Sequence, residues 1–503
     1  MCMAEEKSLA VRASRGYFLS QATRIIEFGL VFVQSLIIAR LLGPERQGYY
    51  ATIIGFGNLV GLIGSLGFDE VANKYVAVLS DNIKKVGGLF SIILRLRFVI
   101  AFGISLSIFL LADRIAVALG NEILEPWIRL AAPMFLVNAV YSLMRFLYIG
   151  LLRIKSISII QITNLTLTTL LFYIVLKKGM GINGLIIISI IVFLLTILFI
   201  LLESRKIIFK GERPDNLRPM LNFGFFNWFN NIVGFLLGKQ IDVLLLSAFK
   251  LPGEQIGFYH VGVGAARLIS TITVSGLFGV SLSTLSLAFK RGGYEATKKA
   301  WWVLLKMSIG IAIPILSFVF VLGDDIITFF YGTEYMPAIN LFRAFVIFHI
   351  VLRILGYDQH VTAIYSIGKE RVEFLIRVIW GSLNLIGAII LIPILGVWGA
   401  LIATGSALVG VVITEMIVIG RVLGAYFPLR FFLKVGFATL VSIIPVVFIP
   451  LDGLVAIFVG GILFVIILLG LLGFLKPFDK EDYNYLSKSL PRFEKYIRYF
   501  SRV

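Results

Sequence analysis

Runs of about 20 apolar residues, each interrupted by only a few polar positions, follow one another along nearly the whole chain. Fourteen can be delimited: 16–42, 47–67, 86–112, 126–150, 157–176, 182–203, 219–249, 255–289, 300–322, 337–366, 371–393, 396–423, 428–449 and 453–475. Each is long enough to cross a bilayer as an α-helix, so the pattern predicts about 14 transmembrane helices and an all-α polytopic membrane protein. Connections are short. The longest, 204–218 (SRKIIFKGERPDNLR), is basic, carries one proline and reads as a cytoplasmic linker. After residue 475 the pattern changes: Leu486, Leu490, Phe493, Ile497 and Phe500 recur at helical spacing opposite Lys488, Arg492, Lys495 and Arg498. Residues 476–503 are therefore expected to form a cytoplasmic amphipathic tail at the membrane surface, bent at Pro491.

Composition narrows the class. Apolar residues make up 59% of the 503, charged residues 15%, and mean hydropathy is +0.97. These values exclude a soluble enzyme, a secreted disulfide scaffold and a disordered chain. Cys2 is the lone cysteine, so no internal disulfide forms, and no lipidation signature surrounds it. The net charge of +18 has a membrane explanation rather than a nucleic-acid one. Assigning alternate loops to opposite sides places 30 of the 46 Lys and Arg on one side and 7 on the other. That bias puts both termini in the cytoplasm and nucleic acid outside the set of partners. The first run is too long for a cleavable signal, contains Arg24 and Glu27, and ends without a small-residue cleavage site.

An internal repeat organises the helices. RLLGPERQGYYAT at 40–52 aligns with FKLPGEQIGFYHV at 249–261, an offset of 209 that matches Glu45 to Glu254, Gly48 to Gly257 and Tyr50 to Tyr259. GINGL at 181–185 aligns with GVWGA at 396–400, an offset of 215. The repeat unit holds six spans, an even number, so both copies enter the membrane in the same orientation. The expected organisation is an N-terminal lobe at 1–203 (spans 1–6), the linker at 204–218, a C-terminal lobe at 219–423 (spans 7–12), and spans 13–14 at 424–475.

With these residues in view, the chain resembles the polysaccharide-export, lipid-linked oligosaccharide flippase family (Wzx-like) of the multidrug/oligosaccharidyl-lipid/polysaccharide (MOP) flippase superfamily. ARLLGPERQGYY at the end of span 1 carries the resemblance. So do QIDVLLLSAFKLPGEQIGFYHVGVGAARL across spans 7–8 and EDYNYLSKSLPRF in the tail. The resemblance implies a V-shaped, two-lobed MATE/MOP-like fold of two six-helix lobes plus two helices, a multi-pass protein of the cell membrane. It also implies alternating-access transport of a lipid-linked oligosaccharide, with spans 13–14 forming part of a groove for the lipid tail.

Polar residues inside the spans carry the expected chemistry, because each charge in hydrocarbon costs roughly 2.5–3.5 kcal/mol on insertion scales. On a helical wheel, Ser20, Arg24, Glu27 and Gln34 share a face in span 1, and Asn138, Ser142 and Arg145 do so in span 4. Asn227, Asn230, Asn231 and Asp242 share one in span 7, with Gly234 and Gly238. His260, Arg267, Thr271 and Ser275 line up in span 8, and His349, Arg353 and His360 in span 10. Five such faces predict a wet cavity between the lobes. Arg24, Arg145, Lys239, Arg267 and Arg353 outnumber Glu27 and Asp242 there, which suits the phosphate or pyrophosphate of a polyprenyl-linked glycan; Asn230 and Asn231 suit sugar hydroxyls.

Arg24–Glu27 and Lys239–Asp242, each three residues apart, are alternatively local ion pairs. Arg267 and Arg353 have no acid at helical spacing. Arg95 and Arg97 are expected to touch headgroups or other helices. Glu27 and Asp242 are the candidate sites for Na⁺ or H⁺ coupling. No phosphate-binding loop, metal-ligand cluster or nucleophile elbow is present, so no cofactor, metal or enzymatic reaction is expected. Expected partners are membrane lipid, the lipid-linked glycan and glycan-assembly enzymes, with the protein acting as a monomer. Three rivals remain: a cation-coupled multidrug antiporter of the same fold, a membrane-embedded glycan transferase or polymerase, and a scaffold for glycan assembly.

Overall fold

A computed structural model describes residues 23–208, 211–212, 216–424, 427–449, 452–489 and 494–502, leaving aside the side chains of 275–280, 488 and 489. Cys2, Ser20, Leu490, Pro491, Arg492 and Phe493, and the side chains of Ser275 and Lys488, lie outside that description. The described chain is helical with no strand, and it divides by internal packing into two compact units, one ending at Gly257 and one starting at Phe258. Among the described residues, eleven helices are long and apolar enough to span a bilayer, or thirteen when two bent pairs each count as one. The predicted span at 255–289 is also helical throughout. The fold is therefore all-α and polytopic, as the hydropathy pattern predicts.

The first unit contains α1 (Thr23–Leu42), α2 (Pro44–Ser65), α3 (Phe68–Val78), α4 (Ile83–Leu110) and α5 (Ala112–Ala118). It continues through α6 (Glu125–Gly150), α7 (Ile154–Lys177), α8 (Gly181–Ile208), α9 (Arg218–Leu236) and α10 (Lys239–Ala248). Local rules set many boundaries. Pro44 follows Gly43 (φ 76°) to open α2, and the Asn82 side chain accepts from Lys85 N at 3.2 Å to cap α4. Two apolar cores form. One gathers Ile53, Ile108, Ile128, Phe135, Leu185 and their neighbours; the other gathers Val71, Phe90, Ile93, Leu143, Leu147 and Ile200.

The predicted span 219–249 is broken, and the predicted span 47–67 ends at a second bend beyond which the chain stays helical. α2 and α3 meet at a bend of 54°, and α9 and α10 at one of 62°. At the first break Leu66 and Gly67 take φ 44° and 77°, and a Cβ on Gly67 would lie 1.9 Å from the Gly224 carbonyl oxygen of α9. The Trp228 indole of α9 donates to Leu62 O at 2.7 Å and the Ser65 hydroxyl donates to the same oxygen at 2.9 Å. Both satisfy a carbonyl near the bend, which is what lets a broken helix persist in hydrocarbon. The repeated motifs meet at the opposite end of α2. A Cβ on Gly48 would lie 1.8 Å from Gly253 O, and one on Gly257 2.0 Å from Pro44 O. The two copies of the motif thus pack backbone to backbone through their glycines.

The second unit begins in α11 (Gly253–Val321), one long helix interrupted at Gly292–Gly293, where a loop is expected from the sequence. α12 (Gly323–Tyr331), α13 (Ala338–Leu355), α14 (Tyr357–Ser366), α15 (Glu370–Leu395), α16 (Val397–Leu423), α17 (Leu429–Phe448) and α18 (Gly453–Leu475) follow. Gly356, at φ 90°, breaks the predicted span 337–366 into α13 and α14. The tail forms α19 (Lys480–Ser489) and α20 (Glu494–Tyr499). It is held on its own unit rather than only patterned for a lipid surface. Lys306 donates to Asp479 at 3.0 Å and to Asp482 at 2.6 Å, Phe478 packs on Phe431 with ring centroids 5.0 Å apart, and Arg502 N donates to Phe478 O at 3.0 Å.

Candidate functional site

The first unit carries an open polar cavity of about 310 Å³. α2 supplies Gly57, Asn58, Gly61 and Ser65, α3 supplies Asp69 and Glu70, α4 supplies Arg97, α6 supplies Asn138, Tyr141, Ser142 and Arg145, and α9 supplies Asn231. The α2–α3 break shapes it: the 54° bend at Leu66–Gly67 places Asp69 and Glu70 on its wall. Arg97 stands at the middle of α4, between Ile93 of one apolar core and Ile108 of the other. At 1.5 Å per residue that is about 20 Å from either helix end, near the bilayer centre. Only 2% of Arg97 is exposed.

The charges are interlocked. Asn231 donates to Glu70 at 2.5 Å, Ser142 donates to Asp69 at 3.0 Å, and Arg97 Nε donates to Ala139 O at 3.4 Å. Asp69 and Glu70 lie within electrostatic reach of Arg97, and Asp69 also of Arg145. Glu27 lies within reach of Arg145 and Arg24. Two acids therefore face two arginines on the cavity wall, a balanced set rather than a surplus of positive charge. Four buried atoms on that wall have no hydrogen-bond partner: Asp69 Oδ1, Glu70 Oε2, Arg97 Nη1 and Arg145 Nε.

A larger groove of about 480 Å³ runs between α7 and α8, but its wall is mainly apolar (Ile159, Leu167, Leu195, Phe199), with an Asn164–Thr196 hydrogen bond of 2.8 Å. The charged chemistry is in the smaller cavity.

The second unit holds a separate polar cluster. Arg353, 5% exposed, binds the Asp358 carboxylate and donates to Ser270 Oγ at 3.2 Å and Ser270 O at 3.3 Å. Arg267 lies 5.7 Å from the centre of the Phe345 ring, and both arginines are within electrostatic reach of His349. His360 stacks on Trp301 at 5.5 Å. Arg377 binds Glu373, and buried Glu415 is a neighbour of both.

Among the residues singled out from the sequence, Arg145 and Asn231 line the first-unit cavity, with Glu27 close by and Arg24 exposed on α1. Asn230, adjacent to Asn231 and half-buried, is not part of the lining. Lys239 opens α10, and Asp242 is fully buried in that helix's first turn. Arg267 and Arg353 belong to the second unit. Sequence reasoning passed over Asp69, Glu70, Asn58 and Asp358, and gave Arg97 no place in a site. The available signal was SLGFDE at 65–70, a glycine and two acids directly after an apolar run, which marks a break as readily as an end. Among the described residues no group of three or more His, Cys, Asp or Glu is placed to hold a metal.

Comparison with solved structures gives the fold. The lipid II flippase MurJ in an inward closed conformation superposes with a TM-score of 0.72 at 16% identity, covering 90% of this chain and 97% of that one. An inward-facing multidrug resistance MATE family transporter of the MOP superfamily gives 0.65 at 13% identity, covering 78% and 94%. A MOP superfamily transporter from Pyrococcus furiosus, described as having a binding pocket of reverse polarity, gives 0.55 at 14% identity, covering 82% and 95%. No curated protein sequence matches the chain. The family model described as polysaccharide biosynthesis protein matches residues 37–340, more than half of the length, so this multi-pass membrane protein with a MOP-type fold belongs to the polysaccharide biosynthesis protein family.

Proposed function

We propose that the protein is a flippase that carries a lipid-linked oligosaccharide across the cell membrane by alternating access, for polysaccharide or glycoprotein assembly. The substrate is a glycan joined through phosphate or pyrophosphate to a polyprenyl chain. The observation that carries this reading is a charged, hydrogen-bonding cavity at mid-membrane depth in a chain of the polysaccharide biosynthesis family. Charged side chains at that depth are costly in a bilayer, which makes them functional candidates. Arg24, Lys239, Arg267 and Arg353 offer donors to the phosphate of the headgroup, and Arg145, Asn230 and Asn231 offer hydrogen bonds to its sugars. The polyprenyl chain stays in lipid throughout. Glu27 and Asp242 are the groups through which Na⁺ or H⁺ drives the cycle, and the chain works as a monomer with both termini in the cytoplasm.

The test is leaflet transfer of defined polyprenyl-diphosphate glycans in vesicles containing the purified protein, with and without Na⁺ and pH gradients. Transfer without any new covalent bond supports the proposal; a changed product in the absence of transfer points to a transferase. Efflux of lipophilic cations with no glycan-lipid movement points to a drug antiporter.

A further inference from the structure

We infer that the first-unit cavity is a subsite for an uncharged, hydroxyl-rich sugar ring, and that it does not hold phosphate. The inference rests on the flippase reading and specifies which part of the substrate this cavity recognises. It follows from the four orphan atoms. Asp69 Oδ1 and Glu70 Oε2 can only accept hydrogen bonds as carboxylates, whereas Arg97 Nη1 and Arg145 Nε can only donate. Buried polar atoms in folded proteins are satisfied, so a ligand of this cavity has to offer donors and acceptors together.

A phosphate would satisfy the two arginines and place its charge against two carboxylates. A cation would do the reverse. A hydroxyl both donates and accepts, so neighbouring hydroxyls on one ring can serve an acid and an arginine at once. Three further features point the same way. The charge on the wall is balanced, which leaves no net field to attract an ion. Asn58 and Asn138 add amides, each with donor and acceptor ends, beside the Tyr141 ring, which offers an apolar face to sugar C–H groups. The arginine in question is 98% buried by its 2% exposure and is held by Ala139 O, so its free Nη1 cannot swing out to solvent.

The test uses the full chain in lipid nanodiscs and saturation-transfer NMR with glucose, galactose, mannose and N-acetylglucosamine, each measured with and without inorganic phosphate. At least one sugar is expected to receive saturation that phosphate does not displace. That signal should fall by about tenfold in Glu70→Gln and in Asn138→Ala, each of which removes about one hydrogen bond to a ligand. Asn138→Ala leaves all four charged groups in place and guards against loss through misfolding. No saturation of any of the four sugars overturns the proposal, as does saturation that survives both substitutions or that phosphate abolishes. The flippase reading fails separately, if wild-type protein moves none of the glycan lipids in vesicles while a sugar still binds here.

Discussion

Arg97 shows what a single side chain can require of its surroundings. A guanidinium at the bilayer centre persists because Asp69 and Glu70 stand across from it and Ala139 O accepts its Nε proton. Removing it strands two buried carboxylates. Arg97→Met should therefore cost about 3–5 kcal/mol, read from denaturation of the detergent-solubilised protein, and adding Asp69→Asn should recover part of that loss. An unchanged midpoint in Arg97→Met would show that the acids are neutralised some other way. Arg353 and Arg267 separate in the same manner. Arg353 is buried on Asp358 and Ser270, so Arg353→Ala should lower stability. Arg267 is half-buried and leans on Phe345, a contact worth about 0.5–1 kcal/mol. Arg267→Ala should keep the fold while removing leaflet transfer. Neither partner of Arg97 or Arg353 was legible from spacing along one helix, because both arise at breaks: Gly67 swings Asp69 and Glu70 onto the wall, and Gly356 brings Asp358 back to a residue five positions earlier.

Elements were read from hydropathy with far better success than their interruptions. Apolar run length predicts a span through a free-energy sum over some 20 residues, which tolerates local errors. A bend depends instead on one or two backbone angles and on a neighbour able to take the freed carbonyls. Trp228, more than 160 residues away in sequence, does this for Leu62. The glycine packing of the repeat motif gives a direct check. Gly257→Ala sets a methyl 2.0 Å from Pro44 O, which only backbone movement can relieve. A loss of about 1–3 kcal/mol in stability is expected, with little effect from alanine at Gly29 or Gly61, where a Cβ meets open space.

The tail offers a pH test at the same scale. Asp479 N donates to Asp482 at 3.0 Å and Asp482 N to Asp479 at 2.9 Å, a reciprocal cap at the start of α19, and both carboxylates share Lys306. Burial raises the Asp482 carboxyl above the usual value, an effect that the Lys306 hydrogen bond only partly offsets. At Asp479 burial acts in the same direction, but the Asp482 N–H and Lys306 outweigh it and hold the carboxyl below the usual value. A group with a raised folded pKa takes up its proton while docked, so the first protonation does not weaken docking. The stability carried by Asp479 is present above its unfolded pKa and is lost as pH falls through its depressed folded one. Protease sensitivity of the tail should therefore stay flat down to pH 5 and rise only below the ordinary aspartate value of 3.8. Release near pH 5 would show that Lys306 is not the anchor.

At the scale of the molecule, the fold class followed from composition and pattern, and the residue-level site did not. An unbroken-helix picture groups polar residues by their own helix face, whereas the cavity draws on five helices, one of which, α3, lies where the hydropathy pattern leaves only a connection between spans 2 and 3. Orientation across the bilayer follows from the basic loops and is open to direct measurement. Because Cys2 is the only cysteine, Cys2→Ser gives a thiol-free background. Single cysteines at Lys84 and Lys369 should then react with an impermeant maleimide only from the cytoplasmic side, and those at Lys178 and Lys250 only from outside. Any reversal of that pattern would invert the assigned topology.

The unsatisfied wall around Arg97 has a consequence for the empty carrier. Carboxylates and guanidinium groups on an open wall draw water whenever no solute covers them. Loading it is then an exchange of solvent for solute. An excluded osmolyte such as trimethylamine N-oxide, by lowering water activity, should therefore tighten sugar binding.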